Sequence, residues 1–394
     1  MEFAKRNNTI DILRAVVMFL MIFVNDFWTV RGVPHCLEHA GQNEDFLGLA
    51  DYIFPAFLFV VGLSIPYAIE RRYAKGHSEL EMVFHVLGRT LALWVMGVFF
   101  ANAEAGLSSD VVLSMPVFRI LMIVGFCLVW NNYPKTTDVR KKALFTILKI
   151  SGVALLIYLS VIFRDSRGGI FQARWWGILG SIGWTYLVCA FVYFAFRRNI
   201  FKHAVVWIVL VVLCMLESDN LIPRESFLQA FLKMLHIPPG AKTAFCMGGV
   251  LTSLITMRTA GWKMKFKVLL SIGIIASLIA AGSLTHGHWI VSKNLQTPPT
   301  LFYCTAAVIS AYVLIAWLVS KGWTKAFQII SPAGTSTLTC YLIPVFMTAV
   351  MRLLNFGPVF QIDGIYGLLK CFIFSFICIC VAGLLERIHI KLKI

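Results

Sequence analysis

Apolar windows of about 20 residues, separated by short polar breaks, fill this chain almost from end to end. They fall at 10–30, 51–70, 86–103, 112–130, 143–163, 176–196, 203–217, 242–257, 266–284, 299–319, 333–351 and 362–384. About 20 apolar residues is the length a helix needs to cross a bilayer. In lipid, every backbone N–H and C=O must be satisfied inside the segment, which leaves the helix as the form such windows can take. The pattern predicts an all-α polytopic membrane protein, a bundle of about 10–12 transmembrane helices. Two windows are irregular. The one at 203–217 is short, and 333–351 follows Pro332 and carries Gly334, Thr335, Ser336 and Thr337, so a broken or re-entrant helix is expected there. Composition agrees: mean hydropathy is +0.80 and 14% of residues are charged, against about 25% in soluble domains. With 394 residues spent on spans, one integral-membrane domain over 1–394 is expected, without a cleavable signal peptide.

The net charge of +16 is explained by topology. Basic residues gather in alternate polar breaks, around Arg71–Lys75, Lys135–Lys142, Arg197–Lys202, Arg258–Lys267 and Lys321–Lys325. Under the positive-inside rule those breaks are cytoplasmic, and so are both termini. The charge is scattered over short segments and is no footprint for nucleic acid. Of the ten cysteines only Cys36 lies in an outer loop. The others read as small buried apolar residues, so no disulfide framework is implied. No Cys/His spacing suits a metal, and neither a phosphate-binding glycine loop nor a GxSxG elbow is present.

Polar residues interrupt the opening of the chain. Asp11 and Arg14 share a helix face near the start of the first apolar run. Asn25 and Asp26 close it, roughly 16 Å from Arg14 at the helical rise. Polar groups at membrane depth are costly and mark pathways or sites. The outer loop from Asn25 to Asp51 then holds His35, Glu38, His39, Gln42, Asn43, Glu44 and Asp45. A neutral imidazole at His39 can take a proton from an amine or hydroxyl. The amide of Asn25 can donate to an oxyanion, and Asp51 can orient the imidazole.

Plainer readings stand beside these. His35 competes with His39, Asp51 is placed to cap the next helix ahead of Pro55, and Asn25 can simply end a helix. Asp11 and Arg14 can form a local ion pair, and Lys149 and Lys370 can snorkel. Trp175 and Trp176 can stack on a ligand ring or belong to an interfacial belt. His286, His288 and Trp289 face the same side as His39 and are either loop decoration or part of a binding surface.

The stretches IDILRAVVMFLMIFVND, EHA and LGLADYIFPAFLFVVGLSI resemble the transmembrane heparan-alpha-glucosaminide N-acetyltransferase family and its bacterial relatives. The matching positions are Asp11, Arg14, Val24, Asn25, His39, Ala40, Ala50, Asp51, Phe54, Pro55, Gly62 and Ser64. The segments around Arg119, around Lys293 and Asn294, and GTSTLTCYLI resemble later pieces of that family. Ala15 replaces a glycine in the first apolar run, and the other departures fall in the outer loop, where the stretch before His39 is longer and GQNEDFLG replaces the family's Trp-Asn-Gly. No counterpart of the family's large N-terminal lumenal region is expected.

This resemblance implies acetyl transfer across a membrane, from cytoplasmic acetyl-CoA as co-substrate to an amino sugar on the opposite side, without a metal. It implies His39, Asn25 and Asp51 as catalytic residues. Arg14, Asp11 and Arg119 are assigned to the coenzyme, and Asp26, Lys293, Asn294 and Trp289 to the acceptor. The partners expected are membrane lipid, acetyl-CoA, a glycan acceptor and a second copy of the chain, in a bacterial inner membrane with the His39 loop periplasmic. Two other functions fit the same features: an O-acetyltransferase of a cell-envelope glycan, and a secondary transporter for a sugar or amino-sugar derivative.

Overall fold

The computed structural model describes residues 7–174, 177–222, 226–227, 229–230, 241–356 and 361–394. Its α-helices, in chain order, are α1 (Asn8–Asn25), α2 (Leu49–Tyr73), α3 (Glu79–Glu104), α4 (Met115–Trp130), α5 (Val139–Ile162), α6 (Ile178–Phe196), α7 (Ile200–Ser218), α8 (Ala241–Arg258), α9 (Met264–His286), α10 (Pro298–Ser320), α11 (Ser331–Thr335), α12 (Thr337–Leu353) and α13 (Gly364–Arg387). No β-strand occurs among the described residues, where isolated bridges are the only extended pairing. All the apolar windows land on helices. Among the described residues eight helices (α2, α3, α5, α6, α7, α9, α10 and α13) are long and apolar enough to cross a membrane, and α4 and α12 are shorter apolar helices. In α9 only 11% of the most apolar stretch is buried, and in α5 only 17%. Faces that apolar are at home in lipid, and the chain is a polytopic helical membrane protein.

Local chemistry accounts for the boundaries. The first window was expected to run to 30, but α1 stops at Asn25. Asp26 starts a 3-10 turn over Phe27–Thr29, in which the Thr29 hydroxyl donates to the Asp26 carbonyl at 2.6 Å and competes with the helix for that acceptor. The short window at 203–217 is the inner part of a full 19-residue helix, capped where Asn199 accepts from Lys202 N. The break expected near Pro332 is present. Ser336 leaves helical geometry (φ −125°, ψ 41°) and separates α11 from α12. The Glu386 carboxylate accepts from Ser336 Oγ at 2.6 Å and Thr335 Oγ1 at 3.2 Å. Both hydroxyls at the break are thereby satisfied by one carboxylate.

Packing divides the chain into two compact units. The first comprises Met1–Val17, Pro34–Thr90 and Ser181–Gln328, and the second Met18–Val33, Leu91–Gly180 and Ile329–Ile394. In the first, α2 and α8 meet backbone to backbone. A Cβ on Gly62 would lie 1.8 Å from the Cys246 carbonyl oxygen, and one on Gly249 would lie 2.0 Å from that of Phe59. Ser253 Oγ donates across the same seam to Leu63 O at 2.6 Å. Small residues and a hydroxyl bridge are what joins helices where lipid removes the hydrophobic drive. In the second unit α4 packs on α5 with glycine against side chain instead, Gly125 against Leu156 and Gly152 against Leu128.

Candidate active site

The loop before α2 is anchored by one carboxylate. Asp51 occupies the third position of α2, and its Oδ2 accepts from the Gly48 N–H at 3.2 Å and the Ala40 N–H at 2.9 Å. The first bond closes the helix N-terminus, as an acid at that position does. Gly48 has to be glycine, because a Cβ there would lie 1.9 Å from the Glu38 carbonyl oxygen. That close approach folds residues 35–40 over the start of α2. It brings His39 Nδ1 to 2.7 Å from Asp51 Oδ1. A carboxylate oxygen only accepts, so Nδ1 carries the hydrogen in this pair, and Nε2 is the basic nitrogen of the neutral ring. Of the two sequence readings of Asp51, the imidazole pairing is present, whereas Gly48 takes the N-cap position and Asp51 closes the helix from its third residue.

Several other histidines contact acids in the same unit. His35 Nε2 lies 2.7 Å from Glu44 and stacks on Phe46. His286 Nε2 meets Asp45 at 2.8 Å, and Asp219 holds both His288 Nε2 (3.0 Å) and Trp289 Nε1 (2.8 Å). Exposure separates His39 from these. Its partner Asp51 is 1% exposed, whereas Glu44, Asp45 and Asp219 are 39%, 45% and 31% exposed. A carboxylate out of water exerts a stronger field on an imidazole than a solvated one.

The segment after α9 closes over the His39 loop. Val291 N–H donates to Asp45 Oδ1 at 2.7 Å, Ser292 Oγ to Gln42 O at 2.7 Å, and Asn294 Nδ2 to Ala40 O at 3.2 Å. The Val291 N–H and the His286 side chain hold the Asp45 carboxyl below the usual carboxylate range. Asn294 thus grips the residue that follows His39. Lys293 beside it is within electrostatic range of Asp51, and burial holds its amine below the usual lysine range while Asp51 pulls the other way. Asp45, Asp219 and Ser292 were missed as pair-formers, since their partners lie 241, 70 and 250 residues away in sequence.

The remaining expected residues are placed as follows. Arg14 bonds Asp11 at 3.0 Å and the Ser64 hydroxyl at 2.5 Å, tying α1 to α2. Asn25 is exposed at the last turn of α1 and belongs to the second unit. So do Asp26, paired with Lys370 at 3.1 Å, and Arg119, which donates to Ala103 O at 3.4 Å. Lys370 therefore does not snorkel. Trp175 and Trp176 lie outside the described residues.

A cavity of about 410 Å³ runs between α8, α9 and α10 in the first unit. Along α10 it extends from Thr305 to Ser320, roughly 22 Å at the helical rise. Thr305 follows Cys304, which is within electrostatic range of Asp51, so this end is the one toward the dyad. Thr252, Thr256, Thr259, Ser271 and Thr305 line the cavity, and each donates its hydroxyl hydrogen to a backbone carbonyl of its own helix. What they offer the cavity is lone pairs, an acceptor stripe on an apolar wall. Lys267 also lines the cavity, and Arg258, Lys263 and Lys265 are close to it in sequence.

Residues 6–220, just over half of the chain, match the family model described as Domain of unknown function (DUF5009). The chain belongs to that family. The DUF5009 chain is also 29% identical over 103 residues to the heparan-alpha-glucosaminide N-acetyltransferase of Mus musculus and 28% identical over 101 residues to that of Homo sapiens. Each match covers 25% of this chain and 14% of the relative. The DUF5009 chain thus matches about a seventh of the length of these curated relatives.

Proposed function

We propose that this protein is a transmembrane acetyltransferase, a single membrane-embedded domain that moves an acetyl group from cytoplasmic acetyl-CoA to the amine of an amino sugar on the other side. The observation that carries this reading is the His39–Asp51 pair: an exposed imidazole held by a buried, fully bonded carboxylate. His39 Nε2 takes the proton as the acceptor nitrogen bonds to the thioester carbonyl. The C–S bond then breaks, and the thiolate of coenzyme A leaves and is protonated. The partial likeness to two N-acetyltransferases supports the acetyltransferase class, and the resemblance assigns the Asn25 amide to the same step.

The cavity supports a donor reaching in from the end away from the dyad. The pantetheine arm of coenzyme A is long and narrow and carries two amide N–H groups, which suit a stripe of hydroxyl acceptors. Its phosphates suit the basic residues of the 258–267 segment.

Purified protein mixed with acetyl-CoA and glucosamine should release free thiol and form N-acetylglucosamine. A transporter would release none, and an O-acetyltransferase would yield an ester labile to mild base. In sealed right-side-out vesicles, acetyl-CoA should work only from inside. An impermeant thiol reagent should label Cys36 in intact cells and spare a cysteine at Ser78. The reverse labelling would overturn the orientation.

A further inference from the structure

Asp26 and Lys370 form a pair in the second unit that the transfer reaction as described above does not use. Their side chains are only 11% and 16% exposed, and Lys370 Nζ lies 3.1 Å from Asp26 Oδ2. The same ammonium bonds the Thr29 hydroxyl, whose own hydrogen goes to the Asp26 carbonyl at 2.6 Å. That carbonyl also accepts from Thr29 N at 3.0 Å and from Cys371 Sγ at 3.6 Å. Two residues further on, Gly364 N donates to Arg31 O at 2.9 Å. Gly367 lies so close to Val30 that a Cβ there would meet Val30 Cγ1 at 2.4 Å. The first two turns of α13 thus hold the backbone of residues 26–31 by its carbonyls, a hydroxyl, a carboxylate and a valine side chain.

All of these contacts fall on the residues that directly follow Asn25. Helix α1 fixes Asn25 from the N-terminal side and the α13 contacts fix it from the other, so its backbone is defined while its side chain stays exposed. A buried ion pair with one partner in α13 and the other in the turn after α1 is costly to desolvate and is retained where it does a job. A staple of α1 to α13 alone would be served by the apolar contacts of Phe19 and Phe23 with Phe372. The charged and hydrogen-bonded contacts are concentrated instead at the turn.

We propose that Lys370 and Asp26 are positioning residues that set the orientation of Asn25 for acetyl transfer. On this view Asp26 is not a contact to the acceptor. The proposal rests on the reading of Asn25 as a participant in the reaction, and its test separates the two.

The readout independent of catalysis is a cysteine at Asn25 in a Cys36→Ser background, labelled with an impermeant maleimide. Lys370→Met and Gly367→Ala, which strike the same turn from different sides, should each change its labelling rate several-fold. The rate at Cys36, in the otherwise native chain, should not move. In the transfer assay Lys370→Met should lower kcat about 10- to 100-fold, the scale of a small misplacement of a catalytic group, with KM for acetyl-CoA within about twofold. Lys370→Met/Asp26→Asn, which removes the uncompensated charge and keeps the shape, should regain much of that loss. Unchanged labelling in both turn variants would overturn the proposal. So would altered labelling with kcat untouched. If the unmodified protein transfers no acetyl group, the reaction reading fails. The structural claim that these contacts hold the turn is then judged by labelling alone.

Discussion

His39 Nδ1 and Asp51 Oδ1 lie 2.7 Å apart, and the imidazole is 48% exposed while the carboxylate is 1% exposed. One carboxylate both closes a helix N-terminus and fixes a ring, so the rigidity of α2 is passed to a loop side chain. Catalytic side chains work best when held by a framework that does not move with them.

Asp51→Asn should separate these two duties. The amide oxygen can still accept from Ala40 N and Gly48 N, but an anion no longer faces His39 Nδ1. Acetyl transfer should fall by about 10²–10⁴, the scale seen when a triad acid loses its charge, with the melting temperature little changed. Asp51→Ala strands both N–H groups as well and should cost about 1–3 kcal/mol of stability besides. Equal melting of the two variants would show that the backbone bonds contribute nothing.

His39→Ala should lose about 10²–10⁴ in rate and still bind acetyl-CoA. His35→Ala should stay within a few-fold of the unmodified protein, because His35 stacks on Phe46 and pairs with Glu44, a half-exposed acid. Kinetics of the two variants side by side decide between them. An active His39→Ala beside a dead His35→Ala would mean that the general base is the other histidine.

Acid should loosen the loops before it unfolds the bundle. The Val291 N–H and His286 hold the Asp45 carboxyl below its usual value. Its proton therefore binds more weakly in the folded state than in the unfolded one. The stabilisation is complete above the ordinary carboxylate pKa of about 4 and is lost as pH falls through the depressed folded value. Melting temperature followed against pH should drop in that window. Asp45→Asn should flatten that part of the curve, and an unflattened curve would assign the acid sensitivity elsewhere.

The helices were legible because hydropathy writes them directly: spans of about 20 apolar residues leave the backbone little choice. Even the break before α12 was written in Pro332 and Ser336. The His39–Asp51 pair was readable for a related reason, since twelve residues joined by a short loop limit how far apart they can sit. What stayed hidden was long-range. Nothing local to Lys370 announces Asp26, 344 positions earlier, and a lysine near a helix end ordinarily snorkels. The cavity was illegible because it is a property of three helix faces together. Its threonines look like ordinary polar breaks in apolar runs.

The α2–α8 seam should be intolerant of a single methyl group. Gly62→Ala would place a Cβ where the Cys246 carbonyl oxygen stands, and an overpacked core costs about 1–3 kcal/mol. The same change at Gly273, which has nothing within 4 Å of a built Cβ, should be neutral or slightly stabilising through helix propensity. Thermal melts in detergent distinguish the two. Similar shifts for both would mean that the helices part easily.

Filling the cavity should block the donor and spare the chemistry. Thr256 lies midway along the acceptor stripe, and Tyr312 donates to its hydroxyl at 3.4 Å. In Thr256→Phe the ring takes space the pantetheine arm needs, far along α8 from the dyad. KM for acetyl-CoA should rise by at least about tenfold, a loss of some 1.4 kcal/mol in binding. At saturation kcat should stay within a few-fold, because His39 and Asp51 are untouched. Ser277→Phe is the control: Ser277 does not line the cavity, and the ring is added to α9 on a neighbouring groove, on the other side of the wall of Leu270, Ile274 and Leu278 that the two share. Its KM should match the unmodified protein. If both variants raise KM alike, the effect is one of bilayer packing. If neither does, acetyl-CoA reaches the dyad by another route.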